Sequence, residues 1–183
     1  MNRYLLICAI VAALGLYAAT PAAANDANVM ATDILDGVVP LAGLAVAYFK
    51  DDTEGQKQWL RNICVNQGLT WALWPIFNQT SLGERPNGDP RNSFPSGHVS
   101  LVMSGATFLD RRYGWRWGVP AYVASAYVAY VRVDENKHHW RDVIASAVLS
   151  YGVAMLFVTP KNATHLAPII GPDFIGLRWG RSF

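Results

Sequence analysis

Apolar residues gather along the chain in five long runs, at about 34–49, 58–79, 98–110, 117–132 and 141–159. Runs of that length, rich in Ala, Leu and Gly, exceed ordinary strands and predict helices. The connectors between them carry the turn-forming and charged residues: Asp51-Asp52-Thr53-Glu54-Gly55, Arg85-Pro86-Asn87-Gly88-Asp89-Pro90, Arg111-Arg112-Tyr113-Gly114 and Asp134-Glu135-Asn136-Lys137. The expected fold is all-α, a bundle of five to six helices. The pattern changes near the C-terminus, where Ile175, Leu177 and Trp179 alternate with Gly176, Arg178 and Gly180, a period of two. Gly171-Pro172-Asp173 offers a turn before it, so residues 161–183 are expected as a tail, either a short β-hairpin or irregular.

Ahead of these runs stand a basic start (Asn2-Arg3), an apolar stretch from Tyr4 to about Ala19, and the small residues Pro21-Ala22-Ala23-Ala24. That is the layout of a secretory signal peptide cut after Ala24, and an uncleaved first membrane helix fits the same residues. The expected organisation is residues 1–24 as leader or anchor, 25–160 as one helical domain, and 161–183 as the tail. Cys8 lies in the leader, so Cys64 has no disulfide partner and is expected as a small buried helix residue.

Composition decides less than pattern. Apolar residues make up 52% and charged residues 15%, against roughly 45–50% and about 25% in soluble domains. The tilt points to a membrane, whereas a mean hydropathy of +0.15 also permits a soluble periplasmic helical domain. If all five runs cross a membrane and residue 25 starts outside, the loops at 80–97 and 133–140 share the outer face. Lys50, Lys57, Arg111, Arg112 and Arg116 then lie inside, against Arg85, Arg91 and Lys137 outside, a slight positive-inside bias. The charge-free part of the first run, Gly37 to Phe49, argues the other way: it covers only about 20 Å of a bilayer core of about 30 Å. The formal charge of +2 and the scattered basic residues give no reason for a nucleic-acid partner.

Chemistry concentrates in the two outer loops. Pro95-Ser96-Gly97-His98 turns directly into an apolar helix, whose free first-turn N–H groups suit an anion. Ser96 adds a hydroxyl, Arg85 a planar fork of donors, and His98 a proton for a departing oxygen. Each of these alone is commonplace, since Ser-Gly turns before helices abound and a lone histidine is usually structural. In the second loop Arg132, His138 and Asp142 stand six and four residues apart. The four-residue step places His138 and Asp142 on one helical face, so that Asp142 can hold one imidazole nitrogen and free the other as nucleophile. Arg132 is expected to clamp the charge on a transferring phosphoryl group.

These residues resemble the type 2 phosphatidic acid phosphatase superfamily. Its signature is a lysine seven residues before Arg-Pro, then Pro-Ser-Gly-His, then Ser-Arg, five residues, His, three residues, Asp. The second part is complete here, and the third has Arg132, His138 and Asp142 at the family spacing. The resemblance covers roughly residues 30 to 160. It implies a helical bundle in which His138 attacks phosphorus, His98 protonates the leaving group, and Arg85, Ser96, Gly97 and Arg132 bind phosphoryl oxygens, with no metal or other cofactor. It further implies a phosphorylated lipid or polyprenyl diphosphate as substrate, hydrolysed at the periplasmic face of a bacterial inner membrane.

Two departures stand out. Val131 replaces the serine before Arg132, a minor change, and Asn78 stands where the lysine belongs. Losing a charge-assisted contact costs roughly 1.5–3 kcal/mol, about one to two decades in rate if it acts in the transition state. An active enzyme with a re-weighted substrate-binding clamp, drawing on Asn78, Arg91 or Lys137, is the expectation. A phosphotransferase using the same site and a non-catalytic family member are the alternatives. A metal centre of His98, His138, His139 and Asp142 is a further rival. A vanadate-dependent haloperoxidase fits poorly with a small chain lacking the lysine.

Overall fold

A computed structural model of the chain describes residues 21–89, 91–161, 164–170 and 175–181, with side chains described for 27–89 and 91–161. Residues 1–20, most of the expected leader, lie outside that set. Among the described residues five α-helices follow one another: α1 (Pro21–Phe49), α2 (Thr53–Phe77), α3 (Gly97–Tyr113), α4 (Trp115–Asp134) and α5 (Trp140–Phe157). After them β1 (Thr164–Ile170) pairs antiparallel with β2 (Ile175–Arg181), Thr164 opposite Arg181 and Ile170 opposite Ile175. The expected hairpin is therefore present, while its turn, Gly171-Pro172-Asp173, falls outside the described residues.

α2 begins ahead of its apolar run because a polar capping residue starts it. Asp52 accepts a hydrogen bond from the Gly55 N–H at 2.9 Å and starts α2 at Thr53, five residues before its apolar run. α3 and α4 are separated only by Gly114, at φ +90°, a conformation that glycine adopts without steric cost. The part of α1 apolar enough to cross a membrane, Ala27–Phe49, has 23 residues, about 35 Å, longer than the Gly37 to Phe49 stretch allowed.

α3 is the hub, packed against α1, α2, α4 and α5. Its buried Val99, Val102, Ala106, Phe108 and Leu109 join Leu35, Val39 and Val46 of α1, Val128 of α4 and Val143 of α5 in one core. Gly105 lets α1 approach: a Cβ there would lie 2.7 Å from the Pro40 Cα. Close approach at a glycine is a common device where helices must touch backbone to backbone.

α2 and α5 each turn polar residues inward and large apolar residues outward. The buried face of α2 is Gln58, Asn62, Asn66 and Thr70, whereas Leu60, Leu69, Trp71 and Ile76 are exposed. On α5, Ser146 and Ser150 are buried while Trp140, Ile144, Val148, Tyr151 and Met155 face outward. The inner polar groups bond across helices: Asn62 Nδ2 to the Ser104 carbonyl at 3.0 Å, Asn66 Nδ2 to the Ser100 carbonyl at 2.8 Å, and Ser150 Oγ to that same carbonyl at 3.1 Å. Cys64, expected as buried, is exposed on this outward face of α2, because the buried face is taken by the polar stripe.

Candidate active site

The two loaded loops meet at one end of the bundle. Asn87 N–H donates to the Asn136 carbonyl at 3.0 Å, tying the loop before α3 to the loop before α5. Two hydrogen bonds fix the Pro95-Ser96-Gly97-His98 turn against α5: Ser96 N–H to the Asp142 carbonyl at 3.4 Å and Ser146 Oγ to the Ser96 carbonyl at 2.9 Å. A Cβ on Gly97 would press on the Trp74 ring at 3.1 Å. The local sequence thus places the head of α3 beside the head of α5.

His138 is buried, with 2% of its side chain exposed, and its Nδ1 lies 3.0 Å from the Ser93 carbonyl oxygen. A carbonyl only accepts, so this contact puts the proton on Nδ1 and leaves the Nε2 lone pair for chemistry. Asp142, expected in this role, stands near the same nitrogen, its Oδ2 3.8 Å from Nδ1, a separation longer than a direct hydrogen bond. Asp142 instead accepts from Ser93 Oγ at 2.6 Å and from the His139 N–H at 2.8 Å, its Oδ1 lying 3.5 Å from Arg141 Nε. The carboxylate therefore holds the residue that holds the imidazole. Sequence reasoning missed Ser93, since a backbone carbonyl leaves no mark in residue identity.

Three of the expected phosphate ligands share one property. Arg85 Nε, Ser96 Oγ and Arg132 Nε are buried and have no hydrogen-bond partner. An unmade hydrogen bond of this kind costs about 1–3 kcal/mol, more for a charged group. Each of the three is a donor left without an acceptor. Arg132 is also held from the other side, its Nη2 lying 2.6 Å from Asp33 Oδ1 and 3.9 Å from Asp36 Oδ2. His98, 44% exposed, has its Nε2 3.5 Å from Asp36 Oδ2. Asp33 and Asp36 are the second omission of the sequence reading: they sit at the start of the first apolar run, far in sequence from both motifs.

Asn78, expected in the substrate-binding clamp, pairs with Asn92. Its Nδ2 donates to Asn92 Oδ1 at 2.6 Å and its Oδ1 accepts the Asn92 N–H at 2.9 Å, so both ends of the amide are used. Asn92 has φ +83°, a left-handed conformation that asparagine tolerates better than most residues. Arg91, exposed, lies 3.7 Å from Glu84, and His139 caps α5. A cavity of about 410 Å³ lies at the opposite end, lined by Thr107, Arg111, Tyr113 and Lys161 among others, and holds none of the signature residues.

The family model described as the PAP2 superfamily matches residues 41–164, more than half of the chain. The chain belongs to the PAP2 superfamily. Among curated relatives, a lipid A 4'-phosphatase of Helicobacter pylori is 29% identical over 130 residues, covering 65% of each chain. A lipid A 1-phosphatase of Porphyromonas gingivalis is 32% identical over 75 residues, 39% of this chain and 17% of its own. Phospholipid phosphatase 2 of Rattus norvegicus is 37% identical over 82 residues, 38% of this chain and 30% of its own. The match therefore spans less than two thirds of each relative's length. No solved structure matches the chain significantly.

Within the PAP2 superfamily frame, the departure at Asn78 has a structural role of its own: its amide fixes the loop that carries Ser93. The metal rival built on His98, His138, His139 and Asp142 finds no support in the arrangement. Among the described residues, the group with ligand atoms within 4.8 Å of one another is Asp33, Asp36 and His98, without His138 or Asp142. The Arg132 guanidinium against Asp33 already meets the charge that a cation would meet there.

Proposed function

We propose that this protein is a phosphatase that hydrolyses a lipid phosphate or diphosphate through a phosphohistidine on His138. The observation that carries the reading is the coincidence of motif and unmet bonding. Arg85, Ser96 and Arg132, named by the signature, each keep a buried polar atom without a partner, and the signature's His138 has its Nδ1 already committed. Phosphoryl oxygens supply the acceptors that those donors lack.

In the first step the His138 Nε2 lone pair forms a bond to phosphorus as the bond to the leaving oxygen breaks. His98 gives its proton to that oxygen, and Arg85, Ser96 and Arg132 hold the charge spread over the equatorial oxygens. In the second step water attacks the phosphohistidine, returns a proton to His98, and releases inorganic phosphate while Nε2 recovers its lone pair. The residues themselves provide nucleophile, acid and charge stabilisation, so the scheme uses no metal.

A lipid substrate is supported by the names of the relatives and by the inverted polarity of α2 and α5. Two helices, Ala27–Phe49 and Trp140–Phe157, are long and apolar enough to cross a membrane. Buried serines and asparagines that bond between helices, with apolar side chains outward, suit a bundle solvated by lipid. The slight excess of Lys and Arg in the loops at the far end favours an orientation with His138 and His98 on the outer, periplasmic face of a bacterial inner membrane.

The test is phosphate release in detergent from phosphatidic acid, phosphatidylglycerol phosphate, undecaprenyl diphosphate and a lipid A phosphate, with soluble monoesters alongside. Turnover of at least one lipid that survives EDTA, falls with micromolar vanadate, and disappears in His138→Ala and His98→Ala is the expected result. Full activity in either histidine variant would sink the assignment. Transfer of phosphate to a second lipid, with none to water, would replace hydrolase by phosphotransferase.

A further inference from the structure

The signature accounts for one carboxylate at the active end, Asp142, behind the nucleophile. α1 brings two more acidic groups to the other histidine. Asp33 and Asp36 are three residues apart and so lie on the same side of α1. Asp33 Oδ1 is already taken by Arg132 Nη2 at 2.6 Å. That leaves Asp36, nine-tenths buried, with Oδ2 3.5 Å from His98 Nε2 and Oδ1 without a hydrogen-bond partner. A buried carboxyl oxygen left unpaired is costly, and the groups that face it are an imidazole and a guanidinium.

We infer that Asp36 is a positioning residue for the general acid: its carboxyl group fixes the His98 ring so that one nitrogen is held and the other meets the leaving oxygen. The inference rests on the reading proposed above, in which His98 protonates that oxygen. It gives the site two carboxyl–histidine arrangements, Asp142 acting on His138 through Ser93 and Asp36 acting on His98 directly. The separation of 3.5 Å is longer than a good hydrogen bond, and catalytic contacts of this kind tighten when substrate is bound. The charged and titratable groups that face His98 are Asp33 and Asp36 from α1, Arg132 from α4, His138 from the loop before α5, and Arg85 from the loop before α3. Asp36 is thus the acidic group not already committed to an arginine at hydrogen-bond distance.

The discriminating measurement is dependence on the leaving group. An alkoxide needs a proton as it departs, whereas 4-nitrophenolate does not. Wild type, Asp36→Asn, Asp36→Glu and His98→Ala are compared in detergent on the lipid phosphate found by the screen above and on 4-nitrophenyl phosphate. Asp36→Asn is expected to lower kcat on the lipid phosphate by about ten- to hundredfold. Its fall on the nitrophenyl ester is expected to be at least tenfold smaller, with KM changed by less than about twofold. His98→Ala is expected to show the same preference more strongly. Asp36→Glu, which keeps the carboxyl group and serves should the asparagine variant not fold, is expected to fall between wild type and His98→Ala. Equal losses on both esters, or no loss on either, in the Asp36 variants while His98→Ala keeps its preference would overturn the role of Asp36 alone. Absence of that preference in His98→Ala would overturn the general-acid reading and this inference with it.

Discussion

His138 and Asn78 show how one contact sets the role of a residue. The Ser93 carbonyl fixes the His138 tautomer, and the backbone that carries it follows directly on Asn92, which both ends of the Asn78 amide hold. A lysine at position 78 would restore the family charge but could not accept the Asn92 N–H, and its longer chain would have to pass Gly83, which packs against the Asn78 backbone. Asn78→Lys is therefore expected to lower activity, with a stability loss of about 1–3 kcal/mol from the broken pair. Thermal unfolding in detergent together with phosphate release checks this, and a gain in turnover would show that position 78 is a weakened clamp. The motif residues were legible in the sequence because their chemistry resides in side-chain identity and spacing. Ser93 was not, because its decisive atom is a backbone carbonyl, and Asp36 was not, because it lies far in sequence from both motifs.

At the level of the elements, the end of the bundle far from His138 is held by one buried ion pair. Arg112, in the last turn of α3, grips Asp52, at the start of α2, through Nε at 2.8 Å and Nη2 at 2.6 Å, and donates from Nη1 to the Thr159 carbonyl at 2.8 Å beyond α5. Tyr113 adds its hydroxyl to Asp52 Oδ2 at 2.8 Å. Burial alone would raise the Asp52 carboxyl, but the hydrogen bonds from Arg112, Gly55 and Tyr113 prevail and hold it at about 2, below the ordinary 3.8. A group lowered on folding contributes stability above its unfolded value and loses it as pH falls toward the folded one. The thermal midpoint is thus expected to drop as pH falls from 3.8 toward about 2. In Asp52→Asn that step should be missing and the midpoint lower throughout. An unchanged acid step in that variant would assign it to other carboxyl groups. The five apolar runs mark the five helices among the described residues, whereas the early start of α2 depends on a contact, Asp52 to Gly55, that periodicity does not register.

For the molecule as a whole, the surface decides the solvent. Val148 is 67% exposed on the outward stripe of α5. In water, Val148→Arg would change stability by no more than about 0.5 kcal/mol, whereas at the centre of a membrane helix the charge costs about 2.5–3.5 kcal/mol on the insertion scale. The variant is expected to accumulate poorly in the membrane fraction and to fail alkaline carbonate extraction as an integral protein. Normal yield in the soluble fraction would contradict the membrane reading. Mean hydropathy could not decide this, because the polar stripe of Gln58, Asn62, Asn66 and Thr70 lowers the average of a helix whose outer face is apolar.

The central claim is a covalent phosphoryl group on His138, and the most direct measurement is to trap it. Detergent-solubilised protein is mixed briefly with a lipid phosphate radiolabelled in the phosphoryl group, quenched in alkali and mapped by peptide. The account expects an acid-labile, alkali-stable label on the peptide bearing His138, absent from His138→Ala. Label on another residue, or undiminished turnover in His138→Ala, would contradict it.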